Sequence, residues 1–159
     1  MKGWGMAVPW LVLATLVAGG AYVRLAPSDP SVWHIDPSMA LPAGGLPVTR
    51  PGQAPQIATT QNTAVVRVEM PGSAPEVLAR LDAIALATPR TTRLAGSPEQ
   101  GRITWITRSA LWGFPDYTTA QAATPQEGST EVTLLARSRF GKSDLGVNAA
   151  RLREWLSRL

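Results

Sequence analysis

The longest apolar stretch of the chain lies at its N-terminus. Residues 3–23 carry no formal charge, and 21 helical residues extend about 31 Å, which matches a bilayer hydrocarbon core of about 30 Å. The pattern therefore predicts one transmembrane helix within residues 1–24. Lys2 before the stretch and Arg24 after it give a slight charge bias, and we expect the N-terminus inside and the C-terminus outside.

The same stretch also fits a cleaved signal peptide. Residues 6–17 could form its apolar core, and small residues suited to cleavage follow at Ala18, Gly19, Gly20 and Ala21. A buried helix of a soluble protein is the remaining alternative, although a charge-free terminal stretch of this length has little other use than membrane insertion. Both the anchor and the signal peptide would export the domain that follows.

Prolines dominate the next segment. Residues 25–62 contain 7 of the 14 prolines of the chain, together with three glycines. Because proline-rich segments favour extended geometry, we expect a semi-rigid spacer that holds the following domain away from the bilayer. A partly packed arm is the alternative, in which Trp33, His34 and Ile35 dock on the domain, since these three together are unusual in a solvated linker.

Strand and helix patterns alternate in residues 63–159. Val66 and Val68 alternate with polar neighbours, which predicts a strand at 63–70. Ser73 and Glu76 form the capping box of a helix that ends before Pro89. Further strands are predicted at 91–94, 101–111, 116–123 and 131–139, and an amphipathic closing helix at 147–159.

These elements follow the order β-α-β-β-β-β-α. Short connections between the later strands require antiparallel pairing. The sequence therefore predicts a single α+β domain over 63–159, built on a curved antiparallel sheet of about four to five strands with helices on one face. A segment of this length has room for one modest hydrophobic core.

Composition narrows the chemistry. The chain has no cysteine and one histidine, which excludes disulfides, a cysteine nucleophile, thiolate ligation and a multi-histidine metal site. We expect no metal and no cofactor. The net charge of +4 arises within residues 137–159, where six basic residues meet two acidic ones. An ordinary solvated face explains this excess, an anionic ligand or lipid headgroup is the alternative, and nucleic acid is not an expected partner.

One apparent motif fails. Gly141, Lys142 and Ser143 match the end of a phosphate-binding P-loop. The complete motif needs a glycine five residues before Gly141, where its backbone amide would contact phosphate, and Ala136 occupies that position inside a predicted strand. The sequence therefore does not predict a nucleotide site here.

Polar residues cluster near the C-terminal half of the domain. We expect internal pairing, in which a strand-borne arginine meets an aspartate in an adjacent turn and Ser143, Asp144 or Asn148 caps the closing helix. A site for an anionic group at that helix N-terminus is the alternative. The cluster comprises Arg108, Asp116, Arg137, Ser138, Arg139, Ser143, Asp144, Asn148 and Arg151.

Four aromatic residues suggest a groove between the sheet and the closing helix. Trp105, Trp112, Phe114 and Trp155 could line it for an apolar ligand, although aromatic residues at such spacings more commonly form core. No residue is predicted to be catalytic. An enzyme would have to use Asp116 or Asp144 with Arg137 or Arg139, in hydrolysis or group transfer.

Three short blocks resemble a known family. Residues 107–109, 113–116 and 137–148, followed by Arg151, are similar to the family called domain of unknown function 1499, over roughly residues 65–159. Members of that family often have a second aspartate where Tyr117 follows Asp116. The resemblance implies a membrane-associated or exported bacterial protein, or a relative of plastid proteins, and it implies no established reaction.

Together these observations favour a noncatalytic domain on a single-pass anchor of the bacterial inner membrane, with the C-terminal domain in the periplasm. Secretion to the periplasm after signal cleavage is the alternative. The domain would bind a protein partner or an anionic or apolar ligand. An assembly or scaffold role in a membrane complex and the hydrolase or transferase described above remain as other hypotheses.

Overall fold

The computed structural model describes residues 4–126 and 128–159. Met1, Lys2 and Gly3 of the predicted N-terminal segment 1–24, and Glu127 between the predicted strands 116–123 and 131–139, lie outside the described residues. The first element is a helix, α1, at Trp4–Leu25. Its part Val8–Leu25 is long and apolar enough to cross a membrane, with a mean hydropathy of 1.5 and none of it buried. A signal sequence meets the same description.

The α+β prediction is confirmed, with a larger sheet than expected. Six strands form one antiparallel sheet in the order β1-β2-β6-β5-β4-β3. The strands are β1 Ile57–Thr59, β2 Thr63–Pro71, β3 Thr91–Ser97, β4 Arg102–Arg108, β5 Pro115–Gln126 and β6 Ser129–Ser138, and the other helices are α2 Pro30–Trp33, a 3₁₀ helix Pro37–Ala40, α3 Ala74–Ala87 and α4 Val147–Ser157.

Two helices cover one face of this sheet and enclose the core. The predicted capping box starts α3, where the Glu76 carboxylate accepts from the backbone N–H of Ser73 at 3.0 Å. Trp105 of β4 and Trp155 of α4 meet edge to face with ring centroids 5.5 Å apart, and both are fully buried. Such a pair contributes about 0.5–1.5 kcal/mol beyond its burial, and it joins the last helix to the centre of the sheet.

The proline-rich segment packs on the opposite face. We use "the arm" for residues 26–47, which include α2 and the 3₁₀ helix and cross strands β5 and β6. After the arm, Thr49 pairs with β2 through its backbone. Its N–H donates to the Arg67 carbonyl and its carbonyl accepts from the N–H of Glu69, each at 2.8 Å. Residues 25–62, expected as a spacer, therefore contain regular structure, including β1, and the contacts agree with the alternative of a packed arm.

Alternation along each strand decides which side chains face the helices and which face the arm. Thr107, Asp116 and Ser138 lie in one cross-strand row on the helix side. The neighbouring row, Ile106, Tyr117 and Arg137, lies on the arm side. Arg137 and Ser138, which are adjacent in sequence, therefore lie on opposite faces of the sheet.

Candidate functional site

On the helix side, four predicted residues form a closed ring of hydrogen bonds. The Ser138 hydroxyl donates to Asp116 Oδ1 at 2.6 Å, and Arg151 Nη2 donates to Asp116 Oδ2 at 2.9 Å. Arg151 Nη1 donates to Asn148 Oδ1 at 2.8 Å. Asn148 Nδ2 donates to the Ser138 hydroxyl at 3.0 Å, which closes the ring. The ring joins the N-terminal turns of α4 to the start of β5 and the end of β6, because Asn148 and Arg151 lie on α4, Asp116 on β5 and Ser138 on β6.

An internal arginine–aspartate pair is therefore present, but it differs from the expectation in two ways, the first being that Asp116 lies in β5 and not in a turn. The arginine that meets Asp116 comes from α4 and not from a strand. It comes from the helix because Arg137 and Arg139, at odd positions of β6 and its extension, point to the arm side. The Asp116 and Arg151 side chains are 14% and 8% exposed, so this is a mostly desolvated ion pair.

Asp144 and Ser143 organise the turn before α4. Asp144 accepts from the backbone N–H of Gly146 at 3.0 Å and from that of Asn148 at 3.2 Å, and the Ser143 hydroxyl accepts from the backbone N–H of Leu145 at 3.1 Å. A carboxylate at this place satisfies free N–H groups and complements the helix dipole. Both aspartates that an enzyme would need are engaged in structural contacts.

On the arm side, Arg137 and two aromatic rings form a stack. The rings of Trp33 and Tyr117 lie 3.8 Å apart at an interplanar angle of 8°. The Arg137 guanidinium carbon lies 4.9 Å from the Trp33 ring centroid, and its Nη2 donates to the Trp33 carbonyl at 3.1 Å. Burial lowers the pKa of Arg137, because desolvation disfavours its charge. Its Nε is buried and has no hydrogen-bond partner in the described part of the chain.

Arg139 and Arg108 complete this side. Arg139 donates to the Pro27 carbonyl at 2.8 Å and lies over the Phe140 ring, while Arg108 donates to the Gly113 carbonyl at 3.0 Å. Among residues 4–126 and 128–159, none of the three arginines has a carboxylate within salt-bridge distance. The predicted cluster thus separates into a self-satisfied ring on one face and arginines held by neutral carbonyls on the other.

The four aromatic residues of the predicted groove lie in two different places. Trp105 and Trp155 are fully buried in the core. Trp112 and Phe114 are 45% and 38% exposed, on the loop between β4 and β5, beside α1. They do not line a common groove between the sheet and the closing helix.

Asp82 is an important residue that sequence reasoning missed. It lies on α3, is 7% exposed, and accepts from Trp105 Nε1 at 2.8 Å and from the guanidinium of Arg93. The available signal was an aspartate inside the apolar stripe between Leu78, Leu81 and Ala85. Such a position requires a buried partner, which β3 and β4 supply.

His34 of the arm also has a defined partner. Its Nδ1 lies 2.9 Å from the Thr104 hydroxyl, on the arm face of β4. Burial lowers the pKa of His34, and the charge of Arg102 lowers it further. A neutral imidazole therefore joins the arm to the sheet. In the described residues, no group of three or more His, Cys, Asp or Glu side chains could hold a metal ion.

Comparison with known proteins gives one clear result. A solution NMR structure of a protein from Thermobifida fusca is 12% identical, with a TM-score of 0.35, over 59% of this chain and 82% of that chain. A crystal structure of a protein from Deinococcus radiodurans is 15% identical, with a TM-score of 0.27, over 67% of each chain. These similarities carry no argument about function, and no curated protein matches. The family model described as "Protein of unknown function (DUF1499)" matches residues 47–159, so this chain belongs to that family.

Proposed function

We propose that this protein is a noncatalytic domain tethered by α1 to the outer face of a bacterial inner membrane. The tether is supported by the length and apolar character of Val8–Leu25, and the last turn of α1 contacts the domain. Arg24 Nη2 donates to the Leu111 carbonyl at 3.2 Å, and the rings of Tyr22 and Phe140 meet edge to face at 6.2 Å. Cleavage at residues 18–21 would cut α1, remove its apolar part and free this end of the domain from the bilayer.

The state of the two candidate carboxylates favours binding over catalysis. A hydrolase or transferase needs an acid or base within reach of a bound substrate. Asp116 is held between Ser138 and Arg151, and Asp144 is held by two backbone amides of the α4 turn. Protonation of either carboxylate would weaken these contacts, so the enzyme hypothesis has the weaker support.

The arginines of the arm face provide the binding site in this proposal. In the described part of the chain, the guanidinium groups of Arg137 and Arg139 donate to the neutral carbonyls of Trp33 and Pro27 and to no carboxylate. A carboxylate or phosphate adds Coulomb attraction to its hydrogen bond with a guanidinium and can accept two parallel N–H bonds, neither of which a neutral carbonyl provides. An anionic group could therefore displace the arm carbonyls and also satisfy the buried Nε of Arg137. This difference in acceptor is the observation that carries the proposal.

Photo-crosslinking in intact cells tests it, with a photoreactive amino acid at Met39, which is 77% exposed on the arm. The variants are Arg139→Ala and the matched control Arg153→Ala, which removes the same charge from the exposed side of α4. We expect one adduct with the parent protein and with Arg153→Ala, and its loss by about tenfold with Arg139→Ala. Equal adducts in all three folded proteins would overturn the arginine site.

The mass of the adduct separates the remaining alternatives. A protein adduct supports a partner or an assembly factor, because the arm face then contacts another chain. An adduct of a few hundred daltons supports a small anionic ligand. If mass spectrometry shows that the crosslinked molecule is a chemically altered product of a cellular compound, the noncatalytic proposal is contradicted.

A further inference from the structure

Large apolar side chains are exposed at one end of the domain. Leu111 is 74% exposed and Leu145 is 91% exposed, and Trp112 and Phe114 lie between β4 and β5 with much of their rings uncovered. We call residues 109–114 the wedge loop. Leu145 lies in the loop between β6 and α4, at the same end of the sheet, because β4 and β6 both end there and β5 begins there. Clustered exposed apolar residues on a domain mark an interaction surface.

The wedge loop lies against the end of α1. Arg24 holds the Leu111 carbonyl, and the Trp112 ring lies 3.9 Å from the position that a Cβ on Gly20 would take. Phe140 joins the two loops, since its ring lies 6.0 Å from Phe114 and 6.2 Å from Tyr22. The exposed apolar surface is therefore continuous with the helix that is long enough to cross a membrane.

Helix geometry places the wedge loop at a specific depth. Gly20 precedes Arg24 by four residues, which corresponds to about 6 Å along the helix axis. Arg24 ends the apolar span, so its charge belongs at the level of the headgroups. Trp112 beside Gly20 then lies about 6 Å below that level, within the 5–10 Å zone that interfacial apolar groups typically occupy.

The cleft between the wedge loop and α1 has the size and lining for an acyl chain. A groove of about 330 Å³ runs between α1 residues 15–23 and the rings of Trp112 and Phe114. Thr15 is the polar side chain of this lining, and its hydroxyl donates to the Leu11 carbonyl of its own helix. Arg24 and Lys142 are exposed at the same end of the domain, where they can meet anionic headgroups.

We infer that the wedge loop and Leu145 embed in the outer leaflet, with a phospholipid acyl chain in the groove beside α1. The inference rests on the tether proposed above and adds a second point of attachment. One helix leaves a domain free to rotate about it. Insertion of a second surface fixes which end of the sheet faces the bilayer and leaves the arm face lateral to it.

Site-directed spin labelling of the full chain tests this directly. The chain has no cysteine, so Leu111→Cys, Leu145→Cys and Gln100→Cys each provide a single labelling site. Gln100 is exposed in the turn between β3 and β4, at the opposite end of the sheet. Each labelled protein is placed in vesicles of phosphatidylcholine and phosphatidylglycerol. The accessibility of the spin label to oxygen, which concentrates in the bilayer, is then compared with its accessibility to a water-soluble nickel chelate.

We expect the oxygen-to-nickel ratio at Leu111 and Leu145 to exceed that at Gln100 several-fold. Vesicle flotation in the same samples reports on the tether separately. Protein that floats, with equal ratios at all three sites, would overturn the inference and leave the tether intact. Protein that does not float would overturn both. Because the labelled side chains are exposed, circular dichroism should show the parent fold in each variant.

Discussion

Arg151 of α4 donates to Asp116 at the start of β5, and the same Asp116 accepts from Ser138 at the end of β6. One carboxylate thereby joins the closing helix to two strands. The Asp116 and Arg151 side chains are mostly buried, so removing Arg151 leaves the Asp116 charge without its partner.

Arg151→Met should lower the free energy of unfolding by about 3 kcal/mol, because the buried Asp116 charge loses its partner. Arg158→Met is the matched control on the same helix. Its ion pair with Glu154 is exposed, and its loss should cost less than about 0.5 kcal/mol. Urea unfolding of the full chain in detergent micelles measures both. Equal effects of the two substitutions would contradict a structural role for the ring.

A second buried carboxylate permits a finer distinction. Asp82→Ala should destabilise the fold by about 3 kcal/mol, since it leaves the Trp105 indole N–H without an acceptor and Arg93 without a partner. Asp82→Asn keeps an acceptor for Trp105 and should cost less than half as much. The same urea titration provides both values. If the two variants have the same free energy of unfolding, the hydrogen bond to Trp105 contributes nothing to stability.

The arm should open independently of the core. Trp33→Ala removes the stack on Tyr117, which is worth about 0.5–1.5 kcal/mol, so hydrogen exchange at residues 32–34 should accelerate by about tenfold. Exchange in β4 and β5 should stay unchanged, because local opening does not require global unfolding. Met39→Ala, at an exposed arm position, is the control. Acceleration across the whole sheet would show that the arm is part of the cooperative core.

Acidification should also release the arm. The pKa of His34 is lowered from its ordinary value of 6.5 in the docked arm, so the released arm binds a proton more readily than the docked arm. The contribution of neutral His34 to docking is therefore fully present above about pH 6.5. It decreases as the pH falls from the pKa of His34 in the released arm to its lower pKa in the docked arm. The neighbouring Asp36 carboxylate stays charged in this window, since hydrogen bonds from Ser38 lower its pKa.

Hydrogen exchange at residues 32–34, corrected for the intrinsic rate at each pH, measures this effect. We expect protection to decrease between about pH 7 and about pH 5. His34→Gln keeps a hydrogen-bonding side chain beside Thr104 and removes the titration, so its protection should not change with pH. If protection in the parent protein is constant over this pH range, the expected weakening of arm docking by protonation of His34 is contradicted.

Local signals explain what could be predicted from the sequence. The capping box of Ser73 and Glu76 and the apolar stripes of α3 and α4 depend on residues within one helix, and the structure contains both helices. Strand β1 has three residues, and its pairing comes from Ala64, Val65 and Val66 of β2. No pattern inside residues 57–59 specifies that partner, which is why the sheet proved larger than predicted.

The polar cluster shows why proximity in sequence misleads in a strand. Arg137 and Ser138 are adjacent, and alternation directs them to opposite faces of the sheet. Ser138 joins Asp116, whereas Arg137 joins Trp33 of the arm. Treating both as members of one site ignored a rule that the sequence already provided. The docking of Trp33 itself depends on Tyr117, 84 positions later in the chain, which no local pattern could specify.

Retention of α1 as an uncleaved anchor distinguishes a tethered domain from a secreted one. Fractionation of cells that produce the full chain, followed by intact-mass measurement of the protein recovered from carbonate-washed membranes, tests it most directly. We expect a membrane-bound protein whose mass includes all of α1, Trp4–Leu25. A soluble periplasmic protein whose mass shows cleavage at residues 18–21 would contradict it.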